Sequence, residues 1–344
     1  MLGYNGSGKS TAVDVINLIR LGILGKFPLA HLFGQKGVTS WSKKEVIRLE
    51  LDLHVDGADF KYWVEIVCPK SQVRGMIHAE SLTVNGDKIF ERDSESVSLG
   101  KIQSADESRF PLNRAHSVVA AVQITDSLSP LSKFRNAFYR ILCVRPLAPN
   151  MDREAEQEDI FLDLGMDNFA RWYRAMSSNQ KFAGQLQSHL NSIWDDFGYL
   201  KLDLTGRDSR TLQLIFENTS PGVEAVKLDF DQLSDGERML VGLYALSAYQ
   251  QSEPPTTIIL DEPDNYISLS EIQPWLLQLL DDRPENGQII IVSHHPEIVE
   301  LMGESRVSWF ERTDHFSPTR VRKLEPNDSG LTLSERISRG WISA

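Results

Sequence analysis

Four short strings carry residue types and spacings that could do chemistry. Gly3-Tyr4-Asn5-Gly6-Ser7-Gly8-Lys9-Ser10, followed by Thr11, has the pattern G-x-x-x-x-G-K-[ST]. Glycines there let backbone N–H groups turn inward on a phosphate, and a helix starting at Lys9 points its positive end the same way. Lys9 would reach the β- and γ-phosphates of a nucleotide, and the Ser10 hydroxyl would ligate Mg²⁺. The second string, Thr256-Thr257-Ile258-Ile259-Leu260-Asp261-Glu262-Pro263, is an apolar strand ending in two acids. Asp261 would then stand at the carboxyl edge of a sheet and hold Mg²⁺ through water, with Glu262 orienting and polarising an attacking water. Alone, an acid pair after a strand is more often a helix cap than a catalytic pair.

Leu233-Ser234-Asp235-Gly236-Glu237-Arg238 places Ser and Gly at a helix start, a second anion site or, read singly, an ordinary cap. Ile289-Ile290-Ile291-Val292-Ser293-His294-His295-Pro296 is another strand with a polar end. A histidine there could hydrogen-bond a γ-phosphate and report its presence, or be incidental to a strand end.

The elements needed to position these groups are legible as periodicities. Thr11 to Leu24 predicts a helix, with Val13, Ile16, Leu18, Ile19 and Leu21 on its apolar side. Residues 45–68 alternate around Asp56-Gly57, and a second alternation turns at Asn85-Gly86, predicting two antiparallel hairpins. Residues 117–123 read as a buried strand returning to the main sheet, and 128–142 as a helix. The acid-rich stretch 152–167 reads as a solvated linker or helix face, with an acidic docking arm as the alternative. One or two helices follow over 169–197, then short strands over 199–204 and 211–217. From residue 236 helix and strand alternate (236–250, 257–260, 270–280, 288–292, 296–302, 306–310), the rhythm of an α/β fold with a mainly parallel sheet.

Composition narrows the classes. The 344 residues carry 36 Lys+Arg against 48 Asp+Glu, a net charge of −12, with 41% hydrophobic and 24% charged residues. That balance is ordinary for a folded chain of roughly two compact units and argues against a surface coated in nucleic-acid-binding charge. Two cysteines, Cys68 and Cys143, exclude a disulfide scaffold and a Cys-rich zinc module, so a reducing cytoplasm is the expected setting. No apolar run approaches a membrane span, and no membrane partner is expected.

The order of the strings (phosphate loop, LSDGER, IILDEP, SHHP) resembles that of ABC-type ATPases. Within them it is similar to the RecF/SMC-like branch, often labelled AAA-family ATP-binding proteins, found in bacterial DNA repair and anti-phage defence. The resemblance covers residues 1–24 and 225–311 and implies a P-loop NTPase with helices on both faces of the sheet, an antiparallel β insertion and a helical lobe. It implies a Walker A loop at Tyr4, Asn5, Gly6, Ser7, Gly8, Lys9, Ser10 and Thr11, binding ATP, and a Walker B pair at Asp261 and the catalytic Glu262. It further implies a signature motif at Ser234, Asp235, Gly236 and Glu237 acting in trans, a D-loop at Asp264-Asn265, and a switch histidine at His294 with His295 as its neighbour. Gln123 is the candidate Mg²⁺-contacting Q-loop glutamine, with Gln35 as competitor.

On this reading the core comprises residues 1–37 and 198–312. Between them lie a β subdomain (38–115) and a helical lobe (116–197), and a tail (313–344) follows. Two departures stand out. Met1-Leu2 would be only the end of the strand that precedes the loop, so a truncated or mis-started chain is expected, and the His-Pro usual after the D-loop is replaced.

The implied function is ATP hydrolysis by a homodimer with two ATPs and Mg²⁺ sandwiched at its interface, controlling DNA or a separate effector such as a nuclease or toxin. The stretch after His294 is too short for a Toprim nuclease, so cutting would fall to a partner. A nucleotide-gated scaffold with negligible turnover is the alternative, and a transporter subunit a third. Three basic clusters could meet DNA or be solvated faces: Lys36, Lys43, Lys44 and Arg48; Lys133, Arg135, Arg140 and Arg145; Arg320, Arg322 and Lys323. In the tail, Leu333, Ile337 and Trp341 would dock on the body or on a partner.

Overall fold

In the computed structural model the chain divides into two units, Met1–Val13 with Leu142–Ala344, and Asp14–Ile141. The structure describes residues 1–34, 44–70, 72–100, 109–123, 126–217, 224–252, 257–285, 287–324, 330–339 and 342. Gln35, Lys36, Lys43, Thr256 and Trp341 lie outside them.

The first unit is built around strands that read as near-continuous apolar runs, as strands covered on both faces do. Gln288–Val292 pairs in parallel with Thr257–Asp261, with Asp261 opposite Val292, and Ile141–Val144 lies on the other side of Thr257–Asp261. The helix Asp235–Ser252 is apolar over most of its circumference and is buried almost throughout from Met239 to Ala248. It packs on the helices Gln180–Ile193 and Leu269–Asp281, and the Trp275 indole N–H donates to the Leu243 carbonyl at 2.9 Å. The helix Phe169–Met176 closes the same core, with Phe169 stacked on Phe230 at 5.3 Å. An antiparallel sheet of Phe197–Leu204, Arg210–Phe216 and Val226–Asp229 completes this part.

Leu2–Gly3 forms a two-residue strand parallel to Ser308–Glu311, which in turn pairs antiparallel with Arg320–Lys323. The Met1 amine donates to the Ile291 carbonyl at 2.6 Å. A cavity of about 260 Å³ opens beside Met1, between Ile289 and Ile291 on one side and Val307 and Ser308 on the other. The helix Leu333–Ser338, capped by Thr332 and Glu335, packs Leu333 and Ile337 against Leu2, Val299 and Trp309, so the tail docks on its own body.

The second unit is a six-stranded antiparallel sheet of Val46–Val55, Ala58–Val67, Met76–Val84, Asp87–Arg92, Val97–Leu99 and Arg109–Phe110. Its two hairpins turn at Asp56-Gly57 (φ 49° and 78°) and Asn85-Gly86 (φ 49° and 90°). Positive φ at both central residues matches the twist of the flanking strands, which is why Asx-Gly occupies each turn.

Three expectations are corrected. Residues 117–123 do not form a strand: Ser117 accepts from the Val119 N–H and caps a helical turn, Val118–Ala121. The helix expected over 128–142 ends at Tyr139, and Ile141–Val144 is a sheet strand. A short run of four apolar residues lacks the length that separates a buried strand from a helix end. The acid-rich stretch 152–167 is not a helix face: it is irregular chain whose acids are mostly exposed, as a solvated linker would have them, but it is tied to the body. Ala155, Leu162 and Met166 are buried, Glu154 bridges to Thr211, and Arg153 pairs with Asp229 at 2.7 Å.

Candidate nucleotide-binding site

The glycine-rich loop turns through Gly6 (φ 76°) and Gly8 (φ 95°) into the helix Lys9–Ile23. Space as well as conformation requires glycine at position 8, where a Cβ would lie 2.9 Å from the Thr319 hydroxyl. Thr319 in turn donates to the Ser7 carbonyl at 2.8 Å. Tyr4, Asn5, Gly6 and Thr11 are exposed, and Tyr4 lies edge-on to Trp309 at 5.4 Å. Ser7 is buried, and its hydroxyl has no hydrogen-bond partner among the described residues. Lys9 is only 6% exposed. Its ammonium donates to the carbonyls of Gly3 (2.9 Å) and Tyr4 (3.1 Å), arching back along the loop. Burial pushes the Lys9 pKa down, while Glu262 and Asp261 push it back up.

Strand Thr257–Asp261 delivers Asp261, wholly buried, to the first turn of the loop helix, where the Ser10 hydroxyl donates to Asp261 Oδ1 at 3.3 Å. Neighbouring oxygen ligands of an octahedron with bonds near 2.1 Å lie about 3 Å apart. The Ser10 and Asp261 oxygens therefore fit adjacent places on a Mg²⁺ ion. Glu262 follows with φ +53°, a left-handed conformation unusual for a residue with a side chain. Its N–H donates to Val292 at 2.8 Å, and the Asn265 amide donates to its carboxylate at 3.1 Å.

His294, at the end of strand Gln288–Val292, lines a cavity of about 190 Å³ with Tyr4, Asn5 and Trp309. Burial first, then Lys9, lowers its pKa, against the opposing pull of Glu262, Asp264 and Asp261. His295 instead starts the next helix, its N–H donating to the Ser293 hydroxyl at 2.9 Å and its carbonyl accepting from Val299. The structure thus brings Lys9, Ser10, Asp261, Glu262 and His294 together.

Other expected site residues stand apart. Ser234 is exposed at the start of helix Asp235–Ser252 and forms a capping box with Glu237: the Glu237 N–H donates to the Ser234 hydroxyl at 3.3 Å, and the Glu237 carboxylate accepts from the Ser234 N–H and hydroxyl at 2.8 Å. Asp235 pairs with Arg238, and a Cβ on Gly236 would lie 3.1 Å from the Tyr266 carbonyl. Gln123 does not end a strand. It is exposed, follows the turn Val118–Ala121 and belongs to the second unit.

Several members of the basic clusters are paired within the chain. Arg322 pairs with Glu311 at 3.0 Å, and Arg140 lies 3.8 Å from Asp56. Arg48 pairs with Glu50 and Glu65 and covers Trp63 at 4.5 Å. Arg145, read with the second cluster, instead reaches Asp261, its Nε donating to Oδ2 at 2.7 Å and its Nη2 to the Ser10 carbonyl at 3.2 Å. Sequence reasoning missed this placement. The signal was a basic residue ending an apolar run, Ile141-Leu142-Cys143-Val144, as Asp261 and Ser293 end theirs.

The family described as "AAA domain, putative AbiEii toxin, Type IV TA system" matches residues 1–300. The chain belongs to this family. Its fold is accordingly that of an AAA domain, α/β with a glycine-rich loop ahead of its first long helix. No curated protein is similar enough in sequence to match. Solved structures similar to this AAA domain include an SmcHead bound to the C-winged helix domain of ScpA, at 14% identity and a TM-score of 0.48 over 94% of this chain and 89% of that one. An SMC head domain from Thermotoga maritima matches at 15% and 0.44, over 94% and 89%. An Smc head domain with an extended coiled coil bound to the C-terminal domain of ScpA, from Pyrococcus furiosus, matches at 13% and 0.45, over 99% and 92%. Among the described residues no helix is long and apolar enough to cross a membrane.

Proposed function

We propose that the chain binds ATP with Mg²⁺ and hydrolyses it in a homodimer that closes on two nucleotides. The observation that carries this reading is the convergence of the Ser10 hydroxyl, the Asp261 carboxylate and the Lys9 ammonium at one helix start, beside Glu262. Lys9 trades its loop carbonyls for β- and γ-phosphate oxygens, and the loop N–H groups hold the rest of the triphosphate. Ser10 and Asp261, directly or through water, would hold Mg²⁺, which would supply positive charge to offset the charge that develops on the transferred phosphoryl group. Glu262, held by Asn265, orients a water whose oxygen bonds to the γ-phosphorus as the bond to the β,γ-bridging oxygen breaks. The water's proton leaves through Glu262, and the products are ADP and inorganic phosphate. His294 faces the same charges and would hydrogen-bond the γ-phosphate.

Ser234 and Gly236 head an exposed helix N-terminus, suited to cap the γ-phosphate of a second copy. The Q-loop role of Gln123 belongs to the same reading. Closure would control a separate effector, a nuclease or toxin, or DNA. The family's description, a putative toxin of a type IV system, supports a place for this chain in such a two-component module.

Steady-state turnover across a protein concentration series, with and without linear duplex DNA, tests the proposal, with Glu262→Gln as control. Turnover that rises faster than linearly with protein and vanishes in Glu262→Gln is the expected result. Tight ATP binding without turnover would replace it with the nucleotide-gated scaffold.

A further inference from the structure

Asp261 is wholly buried, and its two oxygens have different partners. Oδ1 accepts from the Ser10 hydroxyl, on the edge suited to Mg²⁺. Oδ2 accepts from Arg145 Nε at 2.7 Å, while Arg145 Nη2 donates to the Ser10 carbonyl at 3.2 Å. One guanidinium therefore ties the Asp261 carboxylate to the first turn of the loop helix, using two N–H groups whose spacing and plane are rigid. A buried carboxylate left without a partner is costly, so something must offset its charge whether or not a metal is present. Arg145 does so from the Oδ2 side and leaves Oδ1 with the Ser10 hydroxyl.

We infer that Arg145 is a positioning residue for the metal site: it sets the rotamer of Asp261 against Ser10, so that the Ser10 hydroxyl and Asp261 Oδ1 present a preformed pair to Mg²⁺. The inference rests on the nucleotide-binding reading above, because it concerns the same site. Groups that orient metal ligands without touching the metal typically change metal affinity 10- to 100-fold when removed. Arg145 has 30% of its side chain exposed and stands at the end of its strand, so replacing it opens no core cavity. A competing role makes the opposite prediction. Were Arg145 a cation stand-in that Mg²⁺ must expel, removing it would strengthen the effect of the metal.

The test uses the full chain and a fluorescent ATP analogue, titrated in excess EDTA and in excess Mg²⁺, with Mn²⁺ binding to the ATP-loaded chain read by electron paramagnetic resonance. The ratio of the two analogue affinities is the metal coupling. Arg145→Met is expected to leave the affinity in EDTA within about threefold of the parent and to lower the coupling and the Mn²⁺ affinity by roughly tenfold or more. Arg145→Lys keeps a point charge without the fork and should fall between. Thermal unfolding shows that both variants fold, and Arg145→Lys serves if Arg145→Met does not. Unchanged coupling, tighter coupling, or equal losses in EDTA and Mg²⁺ would each overturn the inference. A parent chain that binds no analogue under either condition would overturn the nucleotide reading instead, which keeps the two failures separate.

Discussion

At the scale of single residues, the site separates groups that bind from groups that act. On the proposed reading Lys9 and Ser10 would reach phosphate and metal, whereas Glu262 would have no part in binding and sits in a left-handed conformation tied down by Asn265 and the Val292 carbonyl. Glu262→Gln keeps the shape and removes the proton acceptor. It is expected to lower turnover by about 10²- to 10⁴-fold while ATP affinity stays within about threefold, which single-turnover kinetics and equilibrium titration would show. Asn265 acts through Glu262. Asn265→Ala should therefore lower kcat roughly tenfold with KM unchanged, and a change confined to KM would assign Asn265 to nucleotide binding instead.

At the scale of elements, the neighbours of the loop leave no room for a side chain at Gly3 or Gly8. Gly3 has φ +150°, and a Cβ there would lie 2.1 Å from the backbone carbonyl of Phe310, in the strand that pairs with Leu2–Gly3. Backbone cannot yield as a side chain can. Gly3→Ala is expected to cost about 2–4 kcal/mol of stability, seen as a lowered midpoint in denaturant unfolding, with a loss of ATP binding as the loop shifts. Helix Gln180–Ile193 carries a second sensitivity. His189 is buried, its Nδ1 accepts from the Gln278 amide at 2.6 Å, and Nε2 has no partner among the described residues. Burial lowers its pKa, with Asp282 pulling the other way. The unfolded chain then binds the proton more readily than the folded one, so acidification favours unfolding. Stability should be flat above the ordinary histidine pKa of about 6.5 and fall as pH drops below it towards the lower folded value. Unfolding midpoints at a series of pH values check this, and His189→Gln should flatten the fall. A fall of equal size in the variant would assign it to His294, whose pKa is lowered in the same direction, or to His31 in the second unit.

At the scale of the whole molecule, one copy offers only half of the proposed catalytic arrangement. The Ser234–Glu237 box completes a helix cap within its own chain, yet Ser234 itself remains exposed. With ATP and Mg²⁺, Glu262→Gln is expected to double in mass by light scattering, because the unhydrolysed nucleotide holds two copies together. Adding Ser234→Arg should abolish the doubling while each monomer still binds ATP. A doubling that survives would leave Ser234 as a cap alone, worth about 1 kcal/mol of helix stability.

The glycine-rich loop, the acid pair after an apolar strand and the strand ending in His294 were all readable because each is a local device. Glycine at fixed offsets permits one backbone path, and alternating helices and strands permit few ways to bring strand ends together. The two Asx-Gly hairpins were readable for the same reason. The errors arose where local sequence is ambiguous. Ser117 could open a helical turn or precede a strand, and Ile141–Val144 could end a helix or lie in a sheet. That second ambiguity hid Arg145, whose sequence neighbours suggested a basic surface cluster. Only the pairing of its strand beside Thr257–Asp261, 116 positions away along the chain, turns Arg145 onto the Asp261 carboxylate. The sequence by itself determined which groups could hold a nucleotide, because those groups are set by backbone conformation over a few residues. The tertiary structure alone decided which charge balances the buried acid beside them, because that partner is chosen by strand order and burial.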